Sequence, residues 1–178
     1  MPSRTCRSLT SGWDHDIVNH ENTAARWQLP RGYTGFWDHG SAPLPTTDAR
    51  AFAQLCFETA RRLGGKVEKI SPPDVTPNFH TGTIVGDDYR LAILCHRHLP
   101  LLALATAPAD EVGAVTFVDH PDARTILTSQ PLFRLLNLDE LHTSLDLVDL
   151  SALATAELDQ ISHWEPHTVG ELLFNYWD

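Results

Sequence analysis

The feature that most constrains the fold is a pair of strand-like segments that are apolar on both faces. These segments are YRLAILC at 89–95 and LLALATA at 101–107. Side chains alternate between the faces of a strand, so Leu91 and Ile93 point one way while Ala92 and Leu94 point the other. Both faces must be covered, which predicts a sheet that is sandwiched or strongly curled.

A helix is predicted just before the strand region, over residues 48–63. Its apolar stripe has the helical period and consists of Phe52, Leu55, Cys56, Ala60 and Leu63. Thr47 or Asp48 can cap its N-terminus, and Gly64-Gly65 ends it.

Between Lys66 and Ser129 the apolar pattern changes to that of strands separated by short turns. The segments are 66–71, 81–85, 89–95, 101–107, 112–118 and 124–129. After Gln130 the helical period returns, with Ser151 as a cap and Thr168 with Glu171 as a capping box. The sequence therefore predicts an α+β fold with a central antiparallel β-meander of about five strands, preceded by a helix and followed by a helical C-terminal third.

Length and composition favour one domain over residues 1–178. The chain has 178 residues, of which 42% are hydrophobic and 20% charged, typical of a globular domain. Residues 1–25 are polar and unpatterned, so we expect a mobile N-terminal segment. No signal peptide or membrane span is predicted, and the expected location is cytoplasmic.

No sequence motif identifies a reaction or a cofactor. The nucleotide-binding, zinc-protease and serine-hydrolase signatures are missing, so no cofactor is predicted. The three cysteines form no CxxC pair, which argues against a disulfide framework or a thiolate zinc site. Cys56 and Cys95 lie in apolar patterns that are typical of buried, inert thiols.

The net charge of −10 is concentrated in the last third of the chain. Residues 1–110 hold eleven basic and eleven acidic residues, whereas residues 111–178 hold two arginines against twelve acids. This distribution argues against nucleic-acid binding, which needs clustered Lys or Arg. An acidic face is either a solvated surface that keeps the protein soluble or a docking surface for a basic partner.

The first functional hypothesis follows from this charge and from the missing reaction motifs. It is a small bacterial-type binding protein that recognises a basic protein partner, such as an immunity or antitoxin-like inhibitor or a biosynthetic accessory protein. Nothing in the sequence indicates the oligomeric state. The candidate partner-binding residues are Asp139, Glu140, Asp146, Asp149, Glu157 and Asp159.

The second hypothesis is a small-molecule enzyme or binder, in which histidines supply acid–base or metal chemistry. His96 and His98 would share a strand face, and a hairpin loop at 108–111 would bring His120 and Asp119 close to His98. Residues 96–100 could instead form a hairpin loop, because Pro100 cannot donate to a central ladder, and the two side chains would then scatter. The aromatic residues Trp27, Tyr33, Phe36 and Trp37 either cover the core or form a lid over a pocket.

Two further polar clusters are more typical of solvated segments than of metal sites. His163, His167 and Glu171 would align only on one continuous helix, which Pro166 interrupts. The other cluster lies near the N-terminus and consists of Asp14, His15, Asp16, His20 and Glu21.

Overall fold

A computed structural model describes residues 26–74, 76–107 and 115–177. The predicted mobile segment 1–25, with its polar cluster, lies outside the described residues. The helices are α1 Ala49–Arg62, α2 Pro121–Thr128, α3 Leu138–Leu141, α4 Thr155–Trp164 and α5 Val169–Leu173, with a 3₁₀ turn at Leu145–Leu147. The strands are β1 Trp27–Gln28, β2 Lys66–Ser71, β3 Phe79–Val85, β4 Arg90–His96, β5 Leu101–Thr106, β6 Arg134–Leu135 and β7 Val148–Asp149.

A five-stranded sheet in the order β2-β3-β4-β5-β6 forms the centre of the molecule. Strands β2 to β5 are an antiparallel meander, and the short β6 joins β5 in parallel after the chain crosses through α2. Pairing of Phe79 with His96 places the start of β3 beside the end of β4. The predicted α+β class, with helices in the C-terminal part, is confirmed.

The sheet is covered on both faces, as its apolar pattern predicts. Leu91 and Ile93 belong to the core that α1 and α2 cover, whereas Ala92 and Leu94 belong to the core beneath the C-terminal elements. Gly82 of β3 lets α1 approach closely, because a Cβ there would lie 2.4 Å from Cys56 Sγ. The sheet is therefore the middle layer of the fold, with one apolar core on each of its faces.

Helix α1 forms where its local signals predict it. The Asp48 carboxylate accepts hydrogen bonds from the backbone N–H groups of Arg50 and Ala51, at 2.9 and 3.0 Å. These bonds satisfy two of the donors that a helix leaves free at its N-terminus. The predicted stripe is buried at Phe52, Leu55, Cys56 and Ala60.

The strand predicted at 124–129 is wrong, because these residues belong to α2 and the turn that follows it. Pro121 occupies the first turn, and His120 Nδ1 caps the helix by accepting from Ala123 N–H at 3.3 Å. The residues of α2 that face the core are Ala123, Ile126 and Leu127. Their spacing of three and four fits one helix face better than one strand face. Of the strand predicted at 112–118, the described residues contribute one isolated bridge, between Phe117 and Ala105.

The C-terminal third consists of shorter elements than the predicted stripes suggest. Ser151 does not cap α4, because the N-cap residue is Ala154, whose backbone N–H donates to the Glu157 carboxylate at 3.0 Å. Thr168 Oγ1 caps α5 by accepting from Glu171 N–H at 3.2 Å. The Glu171 carboxylate then accepts from His167 N–H instead of closing a box with Thr168. Within the described part of the chain, no helix has the length and apolar character required to cross a membrane.

Candidate functional site

A cavity of about 520 Å³ opens where the β4–β5 loop meets residues 34–39 and the C-terminal tail. We call it the Arg97 cavity. It lies at the end of the sheet where β3 begins and β4 ends. Its lining residues are Thr34, Gly35, Phe36, Trp37, His39, Thr76, Pro77, Asn78, Arg97, His98, Asn175 and Trp177.

His96 anchors the β4–β5 loop behind this cavity. Its side chain is fully buried, and Nδ1 accepts from the backbone N–H groups of both His98 and Leu99 at 3.1 Å. Nε2 lies 3.1 Å from the Tyr33 carbonyl oxygen and 3.3 Å from Asn78 Nδ2. Because Nδ1 accepts two bonds and the Tyr33 oxygen can only accept, the proton of the neutral ring is assigned to Nε2. The neutral His96 side chain thus links the β4–β5 loop to Tyr33, which directly precedes the cavity-lining residues.

Burial keeps His96 neutral. Loss of hydration, reinforced by the neighbouring His98, lowers the pKa of His96 to about 3, although the bond to Tyr33 opposes that shift. A second proton on Nδ1 would also remove the acceptor that both backbone N–H groups use. His96 is therefore a structural group and is unsuited to proton transfer near neutral pH.

Asn78 and Asn175 attach the C-terminal tail to the cavity. Asn78 N–H donates to the Asn175 carbonyl, and Asn175 N–H donates to Asn78 Oδ1, each at 3.1 Å. Both side-chain amides also donate to the Thr34 carbonyl oxygen, at 3.1 and 3.0 Å. Three chain segments distant in sequence thus meet at one satisfied polar network.

Glu157 of α4 holds the other end of the 32–34 segment. Its side chain is fully buried, and Oε1 accepts from Gly32 N–H at 2.9 Å and from both N–H and hydroxyl of Thr34 at 3.3 and 3.1 Å. Oε2 accepts from Ala154 N–H, so each described group that bonds to the carboxylate is a donor. An acceptor-only carboxylate matches this environment.

Gly35 continues the wall after Thr34 in a backbone conformation that favours glycine. Its φ is +86°, and a Cβ at this position would lie 3.4 Å from Asn78 Cβ. The distance is an ordinary van der Waals contact, so it is the left-handed backbone that favours glycine at this position.

His98 presents to the cavity a ring nitrogen that has no hydrogen-bond partner among the described residues. Its Nδ1 lies 2.7 Å from the Pro45 carbonyl oxygen, so Nδ1 carries the proton and Nε2 is an acceptor. Burial lowers the pKa of His98, and Arg97 adds to this effect against the opposing bond to Pro45. A neutral imidazole with a defined tautomer can accept a hydrogen bond from a ligand or remove a proton from it.

Arg97 supplies the fixed positive charge of the cavity. Its side chain is exposed, and within the described part of the chain its guanidinium has no hydrogen bond or ion pair. None of the described lining residues is a carboxylate. Asp38, which lies between two lining residues, instead accepts from Ala156 N–H of α4 at 2.8 Å. The cavity therefore favours negative charge in a chain whose net charge is −10.

The structure separates the predicted catalytic set. His96 and His98 are close, with ring centroids 6.0 Å apart, but His120 packs against Tyr89 at the opposite end of β4. Asp119 pairs with Arg124 at 2.6 Å. The expected proximity of His98 to His120 and Asp119 depended on a hairpin loop at 108–111, and residues 108–114 lie outside the described residues. The described ranges contain no group of three or more His, Cys, Asp or Glu residues placed to hold a metal ion.

The four aromatic residues predicted as core cover or lid fall into both roles. Phe36 and Trp37 line the Arg97 cavity, where Trp37 is 42% exposed and meets His98 edge to face. Tyr33 is buried, and Trp27 in β1 packs against the core beneath the C-terminal elements. The lid hypothesis thus retains two residues.

The six predicted partner-binding acids do not share one environment. Glu157 is buried, Glu140 pairs with Arg134, and Asp149 accepts from Ser151 N–H and Gln28 Nε2. Hydrogen bonds from Ser151 are the main reason why the pKa of Asp149 is lowered. The remaining exposed acids of the set are Asp139, Asp146 and Asp159.

The two buried cysteines fit their predicted role as packing residues. Both lie in the core beneath α1, and burial raises the pKa of the Cys56 thiol to about 12. Burial also raises the pKa of the Cys95 thiol, with a smaller contribution from Cys56. Thiols in this state are poor nucleophiles at neutral pH.

Comparison of the chain with known protein families, curated proteins and solved structures finds no match. Sequence reasoning overlooked Arg97, Asn78 and Asn175, and it assigned Glu157 to an exposed docking surface, whereas Glu157 is buried and bonds to the distant Gly32 and Thr34. A usable sequence signal for Arg97 was its position between two histidines.

Proposed function

We propose that this protein binds a small organic anion, an aromatic or other largely apolar carboxylate, in the Arg97 cavity. The observation that carries the proposal is the Arg97 guanidinium, which has no hydrogen bond or ion pair among the described residues, at a cavity whose described lining contains no carboxylate. The proposed function is binding of the ligand, with no chemical step.

The size and walls of the cavity suit a ligand of this kind. Small-molecule sites usually measure about 300 to 1,000 Å³ and combine apolar walls with a few polar groups. The 520 Å³ of this cavity fall within that range. Phe36, Trp37 and Trp177 provide aromatic surface for the body of the ligand.

The polar groups suggest how the ligand is oriented. Arg97 can form a bidentate pair with a carboxylate, a geometry that lysine cannot reproduce. His98 Nε2 can accept from a hydroxyl or N–H group elsewhere on the ligand. The rest of the wall is held by the satisfied network of Asn78, Asn175 and Glu157, so little ordering is needed on binding.

Arg97 variants test the proposal with indole-3-acetate as the probe and its uncharged amide for comparison. Charge-assisted hydrogen bonds contribute about 1.5–3 kcal/mol, so Arg97→Gln should weaken the binding of indole-3-acetate by roughly ten- to a hundredfold. Binding of the amide should change little. Isothermal titration calorimetry on the purified protein measures both affinities.

Arg50→Gln is the matched control, because Arg50 is an exposed arginine of α1 outside the cavity lining. It should leave the affinity for indole-3-acetate unchanged. Two results would contradict the proposal. The wild type could bind indole-3-acetate and its amide with equal affinity, or Arg97→Gln and Arg50→Gln could lose equal affinity for indole-3-acetate. An Arg97→Lys variant should retain only part of the affinity.

The acidic docking surface stays a prediction, with a smaller set of residues. Asp139, Asp146 and Asp159 are exposed and could meet a basic partner, whereas the other three predicted acids are occupied by contacts within the chain. A cytoplasmic location also stays a prediction.

A further inference from the structure

A second cavity of about 480 Å³ lies beyond Trp177, on the side of α4 and α5. We call it the Trp164 cavity. Asn175 and Trp177 line both cavities and form the boundary between them. The described aromatic side chains that line the second cavity are Phe117, Trp164, Phe174, Tyr176 and Trp177, together with the imidazole of His167.

The charge of this cavity is opposite to that of the Arg97 cavity. Its described lining includes the carboxylates of Glu165 and Glu171 and contains no Lys or Arg. Both glutamates are exposed. Aromatic faces carry negative electrostatic potential, so carboxylates and rings together favour a positively charged ligand.

The indoles of Trp164 and Trp177 provide the aromatic surface. Their planes are parallel within 3° and their centroids lie 6.2 Å apart. Trp164 is 40% exposed, and its Nε1 donates to Gln160 Oε1 at 3.0 Å, which orients the ring. A large exposed ring with a fixed orientation is characteristic of a binding surface more than of core packing.

We propose that the Trp164 cavity binds an organic monocation of the alkylated ammonium class. Such a cation is weakly hydrated and gains from contact with indole faces, whereas a small inorganic cation would lose its hydration shell. The carboxylates of Glu165 and Glu171 add attraction without direct ion pairing. This site shares Asn175 and Trp177 with the Arg97 cavity but does not include Arg97, so it does not depend on the anion proposal.

Tetramethylammonium is the probe, and tert-butanol is its uncharged counterpart of similar shape. Binding is followed by NMR through the indole N–H signal of Trp177, at about pH 8, where ordinary imidazoles are neutral. The wild-type protein should show a saturable shift with tetramethylammonium and none with tert-butanol. Trp164→Ala should weaken the binding by about fivefold or more, as expected for loss of a cation–π partner.

Glu165 variants separate binding from folding. Glu165 has φ +48°, the left-handed region that glycine tolerates best, so Glu165→Gly should fold at least as well as the wild type. It should still bind tetramethylammonium about threefold more weakly, because one nearby charge is lost. Asp159→Asn removes an exposed carboxylate of the same helix outside the cavity and should bind normally.

Two sets of results would overturn the inference. One is a saturable response to tert-butanol that equals the response to tetramethylammonium. The other is unchanged tetramethylammonium affinity in both Trp164→Ala and Glu165→Gly, or no saturable response in the wild type. Arg97→Gln should leave tetramethylammonium binding intact, so failure here is distinguishable from failure of the anion proposal.

Discussion

Replacing Glu157 by alanine will lower the free energy of unfolding by about 4 kcal/mol. The change removes the acceptor of four hydrogen bonds, from Gly32, from both donors of Thr34 and from Ala154, and leaves these groups in a buried site. Each buried donor left unsatisfied costs about 1–3 kcal/mol, less whatever local relaxation and water recover. Urea denaturation followed by circular dichroism measures the loss.

Asp159→Ala is the control for this experiment. Asp159 lies on the same helix but is exposed, so its removal should change stability by no more than about 0.5 kcal/mol. Glu157→Gln should fall between the two, since it keeps one acceptor oxygen and places an amide among donors. Similar losses in Glu157→Ala and Asp159→Ala would contradict the assignment of Glu157 as the support of the cavity wall.

The second large effect is a loss of stability on mild acidification, with His96 as its main source. The folded protein holds the pKa of His96 at about 3, whereas the unfolded chain has the ordinary value of about 6.5. Between these values the unfolded state binds the extra proton. The contribution of His96 is therefore complete above about pH 6.5 and is lost as the pH falls towards 3.

The expected size of this effect is about 2 kcal/mol between pH 7 and pH 5, from His96 alone. His80 and His98, whose pKa values are also lowered by burial, add to it in the same direction. Urea denaturation of the wild type and of His96→Asn at the two pH values isolates the His96 contribution. Asparagine can accept from the loop N–H groups but does not titrate.

His96→Asn should be less stable than the wild type at pH 7, because it loses the bond to Tyr33 and leaves a cavity. Its free energy of unfolding should also depend less on pH, so the difference in stability between the two proteins should be smaller at pH 5 than at pH 7. Parallel pH dependence in both proteins would mean that His96 is not held neutral in the fold.

The parts of the fold that were predictable depend on local signals. The periodic stripe of α1, its Asp48 cap and the two-faced apolar pattern of β4 each involve residues close together in the sequence. Helix α2 was mistaken for a strand because Thr125, Ile126 and Thr128 are β-branched, which favours strands when considered alone. Its packing against the sheet and the cap from His120 decide in favour of a helix.

The site was less predictable, because its supports join distant segments. Glu157 was expected at the surface, as charged residues usually are, yet its partner Thr34 is 123 residues away. The histidine pair favoured a prediction of metal or acid–base chemistry. In the structure His96 holds the β4–β5 loop and Arg97 carries the positive charge of the cavity. Nothing in the local sequence shows that Asn78 and Asn175 meet.

Mapping the binding of indole-3-acetate by backbone amide NMR tests the central claim most directly. We expect saturable shifts concentrated in residues 34–37, 97–98 and 175–177, with smaller effects on the opposite end of β4 near His120. The Arg97→Gln variant should lose them at the same probe concentration. Saturable shifts centred on α2, or a pattern that is identical in the Arg97→Gln variant, would contradict the assignment of this cavity as an anion site.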